Sequence, residues 1–478
     1  MDDLRGWLSK IEKLGQITGI DGADWDNEIG CIADLNLRQA KPPALLFDNI
    51  AQYPAGYRLL TSCLSTSDNV AATLNLPAGM SDLGLLQTLR EKLPCWSEAV
   101  AKYAPEMVKS GPVLENVHRD EEVNLLEFPA PKWHELDGGR YIGTGDGVIT
   151  RDPETGQINM GTYRVMVHDE KTAGFYISPG KHGRVHREKW HAMGKPCPVV
   201  ISLGHHPLFF AVSMMPLPAG SEFSFLGAVA GEPAKLIEEE VTGLPIPADS
   251  EIVIAGFSPP GKTRKEGPFG EWTGYYASGE RPAPYIDIKR VYHRNNPILV
   301  GSHNAIPPSD SVYYSTLMRS AELHTDLVAA GIPDVRGVWV GLQMMTVQLI
   351  VVSVKQRYAG HARQAALIAS QLRSGGAYRG RYVVVVDEDI DPSNTQEVLW
   401  AICTRSDPEK DIDILRRCWS SPLDPTIRKP TDAYFNSRAI IDACKPFEWI
   451  NEFPQEIRIS SGLTDKVKAK WGKVLKLA

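Results

Sequence analysis

The chain has 478 residues, with 51 Lys and Arg against 58 Asp and Glu and a formal charge of −7. That length is too great for one ordinary core and predicts two or three domains. Hydrophobic residues at 43% and charged residues at 23% are values of a soluble globular protein, and the acidic balance excludes a broad nucleic-acid surface, which needs clustered Lys and Arg.

The opening MDDLRGWLSKIEKLGQI sets Leu4, Leu8, Ile11 and Leu14 on one helical face, an amphipathic helix rather than a secretory signal. An apolar strand follows over Pro43–Ile50, then a helix over Leu83–Lys92. From about Val113 the pattern turns to β, with runs at Gly143–Thr150, Gly161–His168, Val199–Leu203, Ile252–Phe257 and Tyr285–Tyr292; this spacing predicts a barrel or sandwich. Helical periodicity returns near Ser309 and stops at Gly331 and Pro333. Beyond it, strand and helix alternate through Gln348–Val354, Ala362–Leu372 and Tyr382–Val386. Asn394 and Glu397 read as a capping box opening a helix through Ile402, and the alternation predicts an α/β domain. The organisation expected is residues 1–112 as an N-terminal α/β domain, 113–308 as a β-rich domain, 309–331 as a linker helix and 332–478 as a C-terminal α/β domain.

The longest apolar runs, Val347–Val354 and Tyr382–Val386, have strand length and cannot span a bilayer. Seven cysteines are scattered without a CxxC pair, which points to reduced thiols in a cytoplasmic protein.

Four constellations bear on chemistry. Glu266-Gly-Pro-Phe-Gly-Glu271 places two carboxylates across a turn that neither helix nor strand tolerates. It is either a solvated surface turn or a held acidic loop suited to proton transfer. Gly143-Thr-Gly-Asp-Gly147 is followed by a strand, not the helix that a phosphate cradle needs, and is expected to be a turn. His205-His206 lacks a carboxylate at ligand spacing and reads as a structural pair. Alternation along Gly161–Val167 puts Thr162, Arg164 and Met166 on one strand face, where an inward Arg164 requires an anionic partner. Asn159, His182 and Glu222 have no connection visible by spacing.

NMGTYR at Asn159–Arg164, SEFSFLGAVAGEP at Ser221–Pro233 and EGPFGEWTGYY at Glu266–Tyr276 occur in this order. With VKQRYAGHARQAALIA at Val354–Ala369 and VDEDIDPSN at Val386–Asn394, the chain resembles the UbiD-like decarboxylases, nearly end to end. The resemblance implies an α+β multidomain fold: an N-terminal α/β part, a central split β-barrel holding the flavin, a linker helix and a C-terminal α/β domain used in oligomerisation. It implies prenylated FMN as cofactor, with Mn²⁺ and K⁺ beside its phosphate. Asn159, His182 and Glu222 match the metal ligands, a donor set suited to Mn²⁺. Thr162, Tyr163, Arg164, Lys181, His182, Met214, Glu222 and Arg381 fall where the cofactor is held, Arg381 standing where the family often has lysine. Arg164, Glu266 and Glu271 match the family's catalytic triad: Arg164 orients the substrate carboxylate, Glu266 pairs with it, and Glu271 protonates carbon once CO₂ has left. The arginine lowers a neighbouring carboxyl and burial raises it, and the sequence does not decide between them.

Lys181, His303, Trp419 and Ser421 are further pocket candidates; Lys181 either meets a second anionic substrate group or reaches into solvent. The implied activity is reversible non-oxidative decarboxylation of an aromatic, heteroaromatic or α,β-unsaturated acid. The alternatives are a physiological carboxylase component and a non-catalytic flavin-binding subunit. A flavin prenyltransferase is the implied cofactor supplier, and a homo-oligomer, dimer or hexamer, the implied assembly.

Overall fold

A computed structural model describes residues 2–341, 348–374, 380–421, 423–427, 434–457 and 459–475; Val347, in the apolar run noted above, lies outside them. The first helix, Leu4–Lys13, is capped by Asp3, whose carboxylate accepts the Gly6 N–H at 2.8 Å. It buries Leu4, Trp7 and Ile11. Leu14, expected on that face, is exposed, because the helix ends at Lys13 and Gly15 turns the chain away at φ 65°. The helix expected over Leu83–Lys92 runs from Asp82 through Pro94 to Ala99, since Leu93 and Trp96 extend its buried face.

Strands Ile17–Asp21, Ala44–Asp48 and Arg58–Thr61 form the N-terminal sheet. Its fourth strand, Ile298–Val300, pairs in parallel with Arg58–Thr61 from more than two hundred residues downstream.

The central sheet is antiparallel throughout, in the order Tyr141–Gly143, Val165–Asp169, Thr172–Gly174, Tyr285–His293, Ile252–Ser258, Cys197–Leu203, Gly147–Arg151, Ile158–Gly161; Asn116–Arg119 also pairs with Tyr285–His293. Its topology dictates its shape. Gly161 ends the strand at one edge, and Val165 opens the strand second from the other. The four Cα–Cα steps between them span at most about 15 Å, so the sheet curls until its edges nearly meet. Residues 144–146 make a second crossing of the same gap, from Tyr141–Gly143 to Gly147–Arg151. The two crossings are tied together where the Thr162 hydroxyl donates to the Asp146 carbonyl at 3.0 Å.

This corrects two expectations. Gly161–His168 and Gly143–Thr150 are not single strands, and Thr162, Arg164 and Met166 do not share a ladder. Residues bridging the split have no strand beside them on the sheet, so the ladder stops there and only Met166 remains in a strand. Gly143–Gly147 is a strand-to-strand connection followed by a strand, as its sequence predicts.

A two-stranded ribbon, Arg264–Glu266 with Arg281–Ala283, carries the Gly-Pro-Phe-Gly loop. The helix Val312–Ala329 leads to a five-stranded sheet ordered Val335–Val340, Leu349–Val354, Tyr382–Asp387, Phe435–Ala443, Ile412–Trp419. Valines of its inner strands alternate between two cores, one packed with Ala362, Ala365, Ala366 and Ala369 of the helix His361–Gln371, the other with Val398 and Ala401 of Thr395–Arg405. Asn394 caps this last helix at Gln396 and Glu397, while the Glu397 carboxylate turns to the Asp391 N–H at 3.0 Å. All seven cysteines are unpaired. Among the described residues no helix is long and apolar enough to cross a membrane.

Candidate active site

The crossing Thr162–Arg164 delivers three side chains into the split. Thr162 is fixed by Asp146 and by the Ser213 hydroxyl at the end of the helix Pro207–Ser213, which Met214 caps. Tyr163 lies between two glycines: a Cβ on Gly161 would stand 2.6 Å from its hydroxyl, and one on Gly183 2.7 Å from its ring. Its hydroxyl accepts from Asn159 Nδ2 and from the Gly183 N–H, each at 3.3 Å. Through Tyr163, the strand Ile158–Gly161 and the helix His182–Ala192 meet, bringing Asn159 and His182 to one place.

Glu222 joins them at the start of the helix Glu222–Ala230. It is buried, and burial lifts its carboxyl to about 7, against hydrogen bonds from its own N–H and those of Met160 and Gly220. His182 is lowered by burial and then by the positive charges of Arg373 and Lys181. The charge of Arg373, an exposed residue of the C-terminal domain, was not signalled by any motif. The Asn159 amide and the Gly183 N–H next to His182 thus meet one phenol, on which the Glu222 charge also acts; amide, imidazole and carboxylate are a donor set whose chemistry fits a hard-to-borderline cation such as Mn²⁺.

Arg164 turns to the other side of the split. Its Nε and Nη2 donate to the two oxygens of Glu266 at 2.7 and 2.9 Å, and its Nη1 donates to Glu271 Oε1. All three groups are buried. The guanidinium sits 4.9 Å from the Tyr176 ring and 5.1 Å from that of Phe269. Burial alone would loosen its proton, but Glu271 and Glu266 outweigh it and hold the arginine charged. At Glu271 burial wins: the carboxyl is raised despite Arg164, with the Glu266 charge adding to the rise. The two glutamates are therefore inequivalent, one clamped bidentate and the other held by one contact in a dry setting.

The acidic loop is held, not solvated. The Gly138 N–H donates to the Pro268 carbonyl at 2.8 Å, the Gly270 N–H to Asp137 Oδ1 at 3.0 Å, and Asn304 Nδ2 to the Gly270 carbonyl at 3.2 Å. Phe269 stacks on Tyr141 at 4.4 Å in the barrel core, while Trp272 packs against the core of the C-terminal domain. Glu271 is thus fixed between two anchors on different domains. Arg281, unnoticed in the sequence, lies opposite Glu266 in the ribbon, with its Nε 3.9 Å from Glu266 and its head 3.6 Å over Tyr176.

The remaining candidates have settings of their own. Arg381 is ion-paired with Asp424 and bonded to Thr426 at 3.1 Å, at the start of the strand Tyr382–Asp387. Lys181 is exposed and occupies the N-cap position of the helix His182–Ala192. His303 is buried against His134 and Trp133, one residue before the Asn304 that holds the loop; burial lowers it to about 3. Trp419 is more than half exposed at the end of an outer strand, and Ser421 caps the Leu423 N–H at 3.1 Å. His206 caps its helix through the Leu208 N–H, and His205 bonds Ser202, both at helix-and-strand junctions of the core.

Residues 106–307 match the Rift-related domain of 3-octaprenyl-4-hydroxybenzoate carboxy-lyase, UbiD, residues 312–443 its C-terminal domain, and residues 8–93 its N-terminal domain. A phenolic acid decarboxylase from Sedimentibacter hydroxybenzoicus is 32% identical over 458 residues, covering 93% of this chain and 92% of that protein. A pyrrole-2-carboxylic acid decarboxylase from Pseudomonas aeruginosa is 31% identical over 423 residues, 86% and 84% of the two chains. The UbiD-class enzyme HmfF from Pelotomaculum thermopropionicum, solved in complex with FMN, superposes with a TM-score of 0.84 at 27% identity over 98% of this chain and 99% of its own. An evolved dimeric form of HmfF in complex with prFMN gives 0.80 at 27% identity, over 97% and 98%.

Proposed function

Because the chain belongs to the UbiD family and is a carboxy-lyase, we propose that it decarboxylates an aromatic, heteroaromatic or α,β-unsaturated acid, reversibly and without net oxidation, using prenylated FMN. The observation that carries this reading is the buried Arg164–Glu266–Glu271 set, with one carboxylate clamped and the other raised. Relatives that act on phenolic and pyrrole acids support the substrate class. When bound, the modified flavin supplies the electron sink for the charge left on carbon as CO₂ departs.

This chain's residues do the rest. Arg164 draws in the substrate carboxylate. Glu266 occupies two of its donors, which fixes the guanidinium plane, while Nη1 donates to Glu271 and so brings the incoming acid beside that carboxyl. Glu271, whose carboxyl is raised by its dry setting, delivers a proton to the carbon that has lost CO₂ and is recharged from solvent, so that R–COO⁻ and H⁺ become R–H and CO₂. Phe269, Tyr176 and Tyr141 exclude water around the exchange. Asn159, His182 and Glu222 would hold Mn²⁺ at the cofactor phosphate, K⁺ lying nearby, with Thr162, Tyr163, Lys181, Met214 and Arg381 as further cofactor contacts. The donor set and the buried Glu222, faced by backbone N–H groups, support this assignment.

The same groups serve carboxylation, which makes a CO₂-fixing role the second reading; a non-catalytic flavin subunit would have no use for the triad. A flavin prenyltransferase would supply the cofactor in the cytoplasm. A homo-oligomer is supported by the exposed stripe Leu463, Val467, Trp471 and Val474 along the helix Ser461–Leu475. The test is co-expression with a flavin prenyltransferase, then a panel of phenolic, heteroaromatic and cinnamic-type acids followed by CO₂ release. Release from at least one class that vanishes without the prenyltransferase is expected; none from any class, with cofactor loading verified spectroscopically, overturns the reading.

A further inference from the structure

On the flank of the barrel, away from the split, three side chains from separate elements converge. His118 lies on the strand Asn116–Arg119, Glu127 ends the short 3-10 turn Leu125–Glu127, and His293 ends the strand Tyr285–His293. The pairing of Val291 with His118 puts His293 two residues along the neighbouring strand, on the same sheet face. One ligand atom from each of the three lies within 4.8 Å of the others. His118 Nδ1 and Glu127 Oε1 are 3.1 Å apart, close to the roughly 3.3 Å separating two ligands of a tetrahedral ion with bonds of about 2.0–2.1 Å. The imidazoles stand edge-to-face, centroids 5.0 Å apart and planes at 89°.

His293 gives this cluster direction. Its Nδ1 lies 2.9 Å from the Arg294 carbonyl, which can only accept, so Nδ1 carries the proton and Nε2 presents a lone pair. That Nε2 is buried and has no hydrogen-bond partner, in a residue only 4% exposed. An imidazole tied by one nitrogen to a backbone carbonyl, with the other left bare, is the arrangement found behind metal-ligating histidines. An ordinary ion pair between His118 and Glu127 leaves His293 Nε2 unexplained.

We propose that His118, Glu127 and His293 form a divalent transition-metal site of the two-histidine, one-carboxylate type, with Zn²⁺ the ion its donors and spacing suit best. The ion ties the turn Leu125–Glu127 to two neighbouring strands. Glu127 also lines an open cleft of about 310 Å³ with Tyr53, Tyr57 and Arg140, from which water can reach the ion and complete the shell.

The full chain, stripped with a chelator and then given Zn²⁺ alone, tests this by bound zinc per chain after gel filtration. The wild type should retain one equivalent more than His118→Phe or Glu127→Gln, with the affinity of that equivalent reduced by more than about 100-fold, beyond the cost of losing an outer-shell partner. His182→Ala should leave this equivalent in place, which separates it from any ion held near Tyr163. Co²⁺ substituted at the site should give intense tetrahedral ligand-field bands that both variants lose. Equal zinc content and affinity in the wild type and Glu127→Gln overturns the proposal. Glu127→Gln is near-isosteric and partly exposed, so it decides the matter alone should His118→Phe fail to fold.

Discussion

Two arginine-centred clusters of this molecule, one in the split and one in the C-terminal domain, tune their carboxylates in opposite directions. In the split, Arg164 meets Glu266 and Glu271. In the C-terminal domain, Arg405 meets Asp387 at 3.0 Å, Asp389 at 2.8 Å and Glu456 at 2.8 Å. Burial pushes Asp389 upward, but bonds to Arg405 and Glu456 and the charges of Arg405 and Lys445 reverse it, so its carboxyl lies well below the usual range. Glu271 moves the other way. The difference lies in how closely positive charge approaches and in water: the second cation of the split, Arg281, stands 3.9 Å from Glu266. Lys445 adds a second cation within 2.9 Å of Glu456, and the Asp389 side chain keeps 27% of its surface. Glu271 keeps 7% and shares its arginine with a carboxylate that has the better geometry. One cluster is held by close charge contacts and serves as a clasp; in the other, burial outweighs the nearby charge at one member, which can therefore carry a proton.

The comparison breaks most sharply at Glu271→Gln. Turnover of the cofactor-loaded enzyme should fall about 10²–10⁴-fold, the usual loss for a general acid, while the melting temperature stays near that of the wild type; near-normal turnover would remove the role. Arg405→Met should do the reverse. Removing one partner of a buried ion cluster costs about 3–5 kcal/mol, read by urea denaturation, and turnover per folded molecule should be unchanged. The pH profile comes next. Glu271 works protonated, and its raised carboxyl keeps the proton to a higher pH than an ordinary glutamate. Turnover should hold below that pKa and fall about tenfold per pH unit above it, and the Gln variant should lack this limb. The smallest effect is expected of Lys445→Met, a partly exposed member of the clasp. It should cost less than about 1 kcal/mol, and a loss as large as that of Arg405→Met would show that the clasp depends on both cations.

The acidic loop and Arg164 were legible because the chemistry sits in contiguous motifs, and the pattern of β and helical runs placed the barrel, the linking helix and the α/β end. What escaped was whatever pairing decides. Arg281 is set opposite Glu266 by ribbon register, fifteen residues on, and the charge of Arg373 acts on His182 from another domain. The sequence of Gly161–His168 alternates like one strand, yet the sheet's closure cuts it at Thr162–Arg164. His118, Glu127 and His293 share no local pattern at all. Nor could composition say whether burial or Arg164 governs Glu271, since that depends on how completely the loop is sealed by Phe269 and Trp272.

The strand Ile298–Val300 imposes an order on synthesis. Arg58–Thr61, an inner strand of the finished sheet, has one side open until residues some 240 positions later emerge from the ribosome. At about 5–20 residues per second that wait lasts on the order of tens of seconds, during which an unpaired apolar edge can recruit the wrong strand. Fragments ending before Ile298 should therefore aggregate where longer ones do not, and the nascent chain is a natural client for a holding chaperone until the barrel has been made.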